Sequence, residues 1–231
     1  MRLVNKRLCI LLSGRGSNFV ALSDWLSAQS LPIEISCVVS NRPHAPGLAA
    51  ARERGIEAIC FDTQQSGGMV AFEAALEQAL HQKPADLIVL AGFMRILSAE
   101  FCERHRNRVL NIHPSLLPAF TGLRTHERAL AEGARVHGAT VHAVNAELDA
   151  GAILAQGVVP VLDGDTPERL SARVLEIEHL LFPQAIAAVA GGLMRMGPRG
   201  WVRGSPEPGF ESCVFSPVLL HPTFSKPPTS P

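Results

Sequence analysis

The run Asp86-Leu-Ile-Val-Leu-Ala91 constrains the fold more than any other stretch of this chain. Inside it, no polar side chain falls on either face of an extended segment. A strand that is apolar on both sides has to be covered on both sides, which fits a parallel sheet between two helical layers. Similar short runs recur at Leu8–Leu12, Ile33–Val39, Ala58–Phe61 and Arg108–Ile112. Helical patterns alternate with them. Asn18–Ala28 follows the first run, and Gly47–Arg54 is closed by Gly55. Met69, Phe72, Leu76 and Leu80 share a helical face until Pro84 stops it, and Ser98 is placed to cap a helix carrying Phe101. Thr166-Pro167-Glu168 supplies a capping hydroxyl, a first-turn proline and an early carboxylate. The stripe Leu170, Val174, Ile177, Leu181 follows it. Two later segments, Gly138–Val144 and Ala152–Pro160, flank the turn-like Leu148-Asp149-Ala150-Gly151. The pattern predicts an α/β fold: a doubly wound, mainly parallel sheet with helices on both faces and a late antiparallel strand pair.

Composition narrows the function classes. Lys plus Arg and Asp plus Glu both number 21, so no broad basic field is available to hold a nucleic acid. The arginines at 104, 106 and 108 cluster without interleaved aromatics. Five cysteines, none in a C-x-x-C pair, read as reduced thiols in a cytoplasmic protein rather than a disulfide framework or zinc ribbon. The nine histidines include no H-E-x-x-H, so no metal is expected. No targeting segment is expected, and no stretch approaches the roughly 18–20 apolar residues of a membrane span. Eight of the 17 prolines fall within 197–231, where both periodicities fade, so that segment reads as a tail, disordered or loosely packed, in which Phe210, Val214, Phe215, Leu219 and Leu220 leave room for some docking.

Ligands of doubly wound sheets bind beyond the carboxyl ends of the strands, and the chemical motifs sit at such ends. Ser13-Gly-Arg-Gly-Ser-Asn18 joins the first strand to a helix. The free N–H groups of a helix start and its dipole favour a phosphate. Phe19 stands where a dinucleotide fingerprint needs glycine, and Gly-Lys-Ser/Thr is absent. The turn therefore fits the phosphate of a smaller ligand, or is a bare glycine turn. Ala91-Gly-Phe-Met-Arg-Ile-Leu97 is either a loop tucked into the core or an apolar wall for a flat ring. In Leu110-Asn-Ile-His-Pro-Ser-Leu-Leu-Pro118, Asn111 and His113 lie two apart in an extended segment and project to one side. An amide donor beside an imidazole suits carbonyl chemistry. Asp149, if it faces His113, would orient the ring; alone it is an ordinary turn aspartate. Glu178 follows Ile177 at the edge of the buried stripe, and His137 and His142 read as structural.

These strings together, with Glu147-Leu-Asp149, resemble the phosphoribosylglycinamide formyltransferase family (glycinamide ribonucleotide transformylases) of folate-dependent formyltransferases. The resemblance runs over roughly residues 7–195, in family order, and makes 1–196 the formyltransferase domain. It implies a Rossmann-like enzyme of de novo purine biosynthesis. Such an enzyme moves a formyl group from 10-formyltetrahydrofolate, its co-substrate, to the amine of glycinamide ribonucleotide through a tetrahedral intermediate. Asn111, His113 and Asp149 would be catalytic. Gly16, Ser17 and Asn18 would hold the substrate phosphate, and Glu178 would bind the same substrate. Met94, Arg95, Ile96, Leu97, Asn111, Asn145, Ala146, Glu147, Leu148 and Asp149 would contact the folate. Expected partners are these small molecules, with no nucleic acid, membrane or metal, in a monomer or homodimer. The alternatives are a formyltetrahydrofolate hydrolase, using water in place of the amine, and a non-catalytic folate- or nucleotide-binding protein. The chain departs from the family at Arg15, Arg124, Ala146 and Ala150. It also has Ser66-Gly-Gly-Met69 where relatives often carry an arginine.

Overall fold

The computed structural model describes residues 5–65 and 67–225. Ser66 and the last six residues of the predicted tail, 226–231, lie outside it. Eight strands form one sheet. They are β1 (Lys6–Leu12), β2 (Ile33–Ser40), β3 (Ala58–Cys60), β4 (Leu87–Leu90), β5 (Val109–His113), β6 (Val136–Ala143), β7 (Ile153–Pro160) and, beyond a hairpin of β8 (Met194–Gly197) and β9 (Gly200–Arg203), β10 (Val218–Leu220). Their order is β10-β7-β6-β5-β4-β1-β2-β3. The pairs among β1 to β5 are parallel, and β6 runs antiparallel to both β5 and β7, so the late antiparallel pair is present.

Alternate side chains of β1 enter two different cores, as strand geometry requires. Leu8, Ile10 and Leu12 pack with helices α1 (Ser17–Ala28), α2 (Pro46–Glu53) and the last long helix, Pro167–Ala190. Cys9 and Leu11 pack on the other face with α3 (Gly68–Gln82) and α4 (Ala99–Arg104). The predicted caps are in place: Ser98 Oγ accepts from the Phe101 amide, and Thr166 Oγ1 accepts from the Arg169 amide. Counting a short α5 (Thr125–Ala131), the long helix is α6. It continues through Pro183, where a helix loses one hydrogen bond. Burial of Phe182, Ala185, Ile186 and Ala188 around that proline offsets the loss.

Most of residues 197–225 are exposed, but Phe210, Phe215 and His221 are buried and tie the segment to the domain, and residue 196 falls inside β8. Phe210 is fully buried against the end of α6, where a Cβ on Gly191 would lie 2.3 Å from its ring. Phe215 is buried, β10 extends the sheet in parallel with β7, and Lys6 pairs with Glu207 at 2.8 Å. Phe210 and Phe215 are among the five tail residues expected to have room to dock; widely spaced anchors separated by prolines and glycines have no period, so the pattern alone does not say which of the five are buried. Phe210→Ala should cost about 3–5 kcal/mol of stability in denaturant unfolding, the range for emptying a buried aromatic site. A chain cut after Gly192 should unfold at a distinctly lower temperature. An unchanged midpoint would mean that the tail contributes nothing to the fold.

Candidate active site

The chain leaves β1 toward β2 and β3, then returns at β4 on the other side of β1. The loops after β1 and β4 therefore diverge from neighbouring strands and leave a crevice between them. The turn after β1 enters α1 through Gly16, whose φ of 73° suits glycine. A side chain there would press on Leu12 and Gly47. No side chain caps α1 and its first turn holds no carboxylate, so no side chain takes up the positive end of its dipole. Ser17 and Asn18 open the helix there, with Arg15 exposed beside them.

Asn18 Nδ2 donates to Glu178 Oε2 at 2.7 Å, bridging α1 and α6. Glu178 is only 6% exposed. Burial raises its carboxyl from the ordinary 4.5 to about 7, and the single bond from Asn18 lowers it only in part. A solvated helix glutamate is thereby excluded.

Asn111 and His113 project together from β5, as their spacing predicts. The β5–β6 register sets Asn111 opposite His142. His142 Nδ1 lies 2.9 Å from the Ala143 carbonyl, so that nitrogen donates, and Nε2 accepts from Asn111 Nδ2 at 3.1 Å. Burial holds His142 below its ordinary imidazole value, in keeping with a neutral ring. Sequence reading took His142 as merely structural. Its link to Asn111 depends on an antiparallel register that no local pattern discloses. The second amide hydrogen of Asn111 remains free for an acceptor.

Asp149 occupies the β6–β7 loop with a φ of 53°. That loop closes so tightly that a Cβ on Gly151 would sit 1.7 Å from the Ala143 carbonyl oxygen. Asp149 Oδ2 lies 3.4 Å from His113 Nδ1 and accepts from the Gly122 amide at 2.8 Å. His113 Nε2 lies 3.0 Å from the Phe120 carbonyl. Both ring nitrogens thus face acceptors, and a doubly protonated ring donates to both.

A cleft beside this trio is lined by Arg95, Ile96, Leu97, Asn111, Asn145, Ala146, Glu147, Leu148 and Asp149, together with Phe93 and His142. Of the ten residues expected at a folate, only Met94 is missing from the lining; the residue is 61% exposed. The arginines at 104, 106 and 108 lie elsewhere. Arg104 and Arg106 pair with Glu77, Glu100 and Glu103, and Arg108 donates to the carbonyls of Ala85 and Asp86, before the start of β4.

An amide donor and a carboxylate-backed imidazole beside a cleft are the groups that a group-transfer enzyme working on a carbonyl would use. The chain belongs to the formyl transferase family, whose model matches residues 6–186. It is 38% identical to phosphoribosylglycinamide formyltransferase of Haemophilus influenzae, over 83% of this chain and 90% of that protein. Identity to the Escherichia coli enzyme of that name is 39%, over 87% and 95%. It is also 44% identical to the trifunctional purine biosynthetic protein adenosine-3 of Gallus gallus, spanning 19% of that longer protein. The crystal structure of phosphoribosylglycinamide formyltransferase from Anaplasma phagocytophilum superposes with a TM-score of 0.83 at 35% identity, covering 93% of this chain and 97% of that one. That coverage exceeds what residues 1–196 can supply, so the likeness enters the C-terminal segment.

The raised Glu178 carboxyl has a sign that can be measured. A folded-state pKa above the unfolded one contributes stability that is complete below about pH 4 and is lost as pH rises through about 7. Glu178→Gln keeps an acceptor for Asn18 and does not titrate. Wild-type stability should fall relative to this variant by about 2–3 kcal/mol between pH 4.5 and 7.5 in denaturant unfolding. Parallel stability curves for the two proteins would show that Glu178 is not perturbed.

Proposed function

We propose that this chain transfers a formyl group from 10-formyltetrahydrofolate to the primary amine of glycinamide ribonucleotide, a step of purine biosynthesis. The observation that carries the reading is that Asn111 and Asp149 line one cleft with Arg95, Ile96 and Leu97, while His113 stands directly behind with Nδ1 3.4 Å from Asp149. The ribonucleotide phosphate sits on the amides of Gly16, Ser17 and Asn18, and Glu178 binds the same substrate. The folate ring system enters the cleft against Arg95–Leu97 and the Asn145–Asp149 loop, with Met94 at its outer rim. The five thiols, all free, suit a reducing cytoplasm.

The amine attacks the formyl carbon, and the carbonyl oxygen gains a negative charge. The free amide hydrogen of Asn111 and an N–H of His113 stabilise that oxyanion. The proton lost by the amine passes through His113, directly or by way of water, to the folate nitrogen. The carbon–nitrogen bond then breaks and tetrahydrofolate departs. Asp149 stabilises the imidazolium and fixes its orientation. In the resting site Phe120 occupies Nε2, so the relay requires this contact to be exchanged for the reacting groups.

The test follows release of deformylated folate with and without the ribonucleotide. Product only with the ribonucleotide supports transfer, equal product without it makes the chain a hydrolase, and binding without turnover makes it a binding protein. His113→Ala should lower kcat by about 10²–10⁴, the usual reach of acid–base catalysis. Asn111→Ala should cost about 10²–10³, the loss of one oxyanion donor. Near-wild-type turnover in either folded variant removes that residue from the mechanism.

A further inference from the structure

We propose that Ser13 is a positioning residue that locks the Met94–Leu97 wall to the phosphate turn, so that the two substrate sites are built as one unit. The proposal deepens the function proposed above and rests on it for the identity of the two ligands.

Ser13 directly follows β1, where the order of the strands reverses, and it is 2% exposed. Its amide donates to the Gly92 carbonyl at 3.1 Å. Its hydroxyl donates to Asn41 Oδ1 at 2.6 Å and accepts from the Met94 amide at 2.8 Å. Three bonds therefore join the residue that starts the phosphate turn to the loop after β4 and the end of β2. A hydroxyl has one hydrogen, and Asn41 takes it. That commitment aims an oxygen lone pair at Met94 and leaves no donor for a phosphate. Asn41 is itself buried, and among the described residues its Nδ2 has no partner, so its side chain is held through Oδ1 alone. The Met94 side chain points largely into solvent and contributes little anchoring. The backbone bond to Ser13 is what fixes the start of the wall.

Removing the hydroxyl leaves a donor and a buried acceptor unpaired, which burial makes costly. The loss falls on the loop after β4, although the mutated residue belongs to the loop after β1. A residue that served only the phosphate would act the other way.

Ser13→Ala is compared with wild type and with Ser13→Thr, which keeps the hydroxyl. Hydrogen exchange is read at the Met94 amide and, as an internal control, at Val89 in β4. Equilibrium binding is measured separately for tetrahydrofolate and for ribose 5-phosphate. Exchange at Met94 should rise about tenfold in Ser13→Ala with Val89 unchanged, and tetrahydrofolate should bind about 5–30-fold more weakly, the effect of one unpaired buried bond. Ribose 5-phosphate affinity should stay within about twofold, and Ser13→Thr should restore both losses. Unchanged exchange at Met94 overturns the proposal. So does a loss of ribose 5-phosphate affinity with tetrahydrofolate binding intact, which would make Ser13 a phosphate ligand. If wild type binds no tetrahydrofolate, the proposed function fails, and the exchange at Met94 still decides the role of Ser13. Should Ser13→Ala not fold, Asn41→Ala, which frees the hydroxyl to turn away from Met94, carries the same test with a smaller rise.

Discussion

The parallel pairing of β1 with β4 is the constraint on which the rest depends. Leu8 to Leu11 stand opposite Leu87 to Leu90 in unbroken register. Both strands are apolar on both faces, so burial drives the pairing and the helices cover what remains exposed. The chain passes to opposite sides of this pair. The phosphate turn and the Met94–Leu97 wall are thereby left as neighbours at one end of the sheet. Slipping the register by one residue would flip the two cores and carry Ser13 out of reach of Met94.

The second half of the site follows from a reversal of direction. Turning β6 antiparallel to β5 puts His142 opposite Asn111, and its return into β7 swings Asp149 over His113. The two buried carboxylates of the site differ in support. Asp149 has a backbone donor and an imidazole within reach, whereas Glu178 has only Asn18. With one donor against near-complete burial, desolvation prevails at Glu178 and its proton is held to about pH 7.

Strands β1 to β7, five of the helices and the shared face of Asn111 and His113 were legible because their signals are local, whereas the residues alone leave open whether Asp149 faces His113. Two-sided apolar runs mark the strands, and a spacing of two marks Asn111 and His113 as sharing a face. Other contacts lie far apart in sequence. Met94 reaches Ser13 across 81 positions, and Asn18 reaches Glu178 across 160. No window on the sequence holds such pairs. The short α5 begins at Arg124 in a left-handed conformation without a capping side chain, so it carries no start signal. Which tail residues dock was not legible for a related reason. Phe210 and Phe215 act as single plugs in a core built by α6 and the sheet, and a plug has no period of its own.

Left-handed backbone recurs three times within five residues beside the His113–Asp149 pair. Phe120, Gly122 and Arg124 all have positive φ, and a bulky aromatic residue adopts such a conformation only when its surroundings impose it. The reward is geometric. Through Phe120 the segment offers a carbonyl to His113, and through Gly122 an amide to Asp149. One strained turn thus holds both members of the histidine–aspartate pair from the side opposite β5. Relaxing it would free the imidazole to rotate and the carboxylate to lose its backbone donor together. The strain at Phe120 is therefore coupled to the alignment of the pair, because the same residue supplies the acceptor that faces Nε2 of His113.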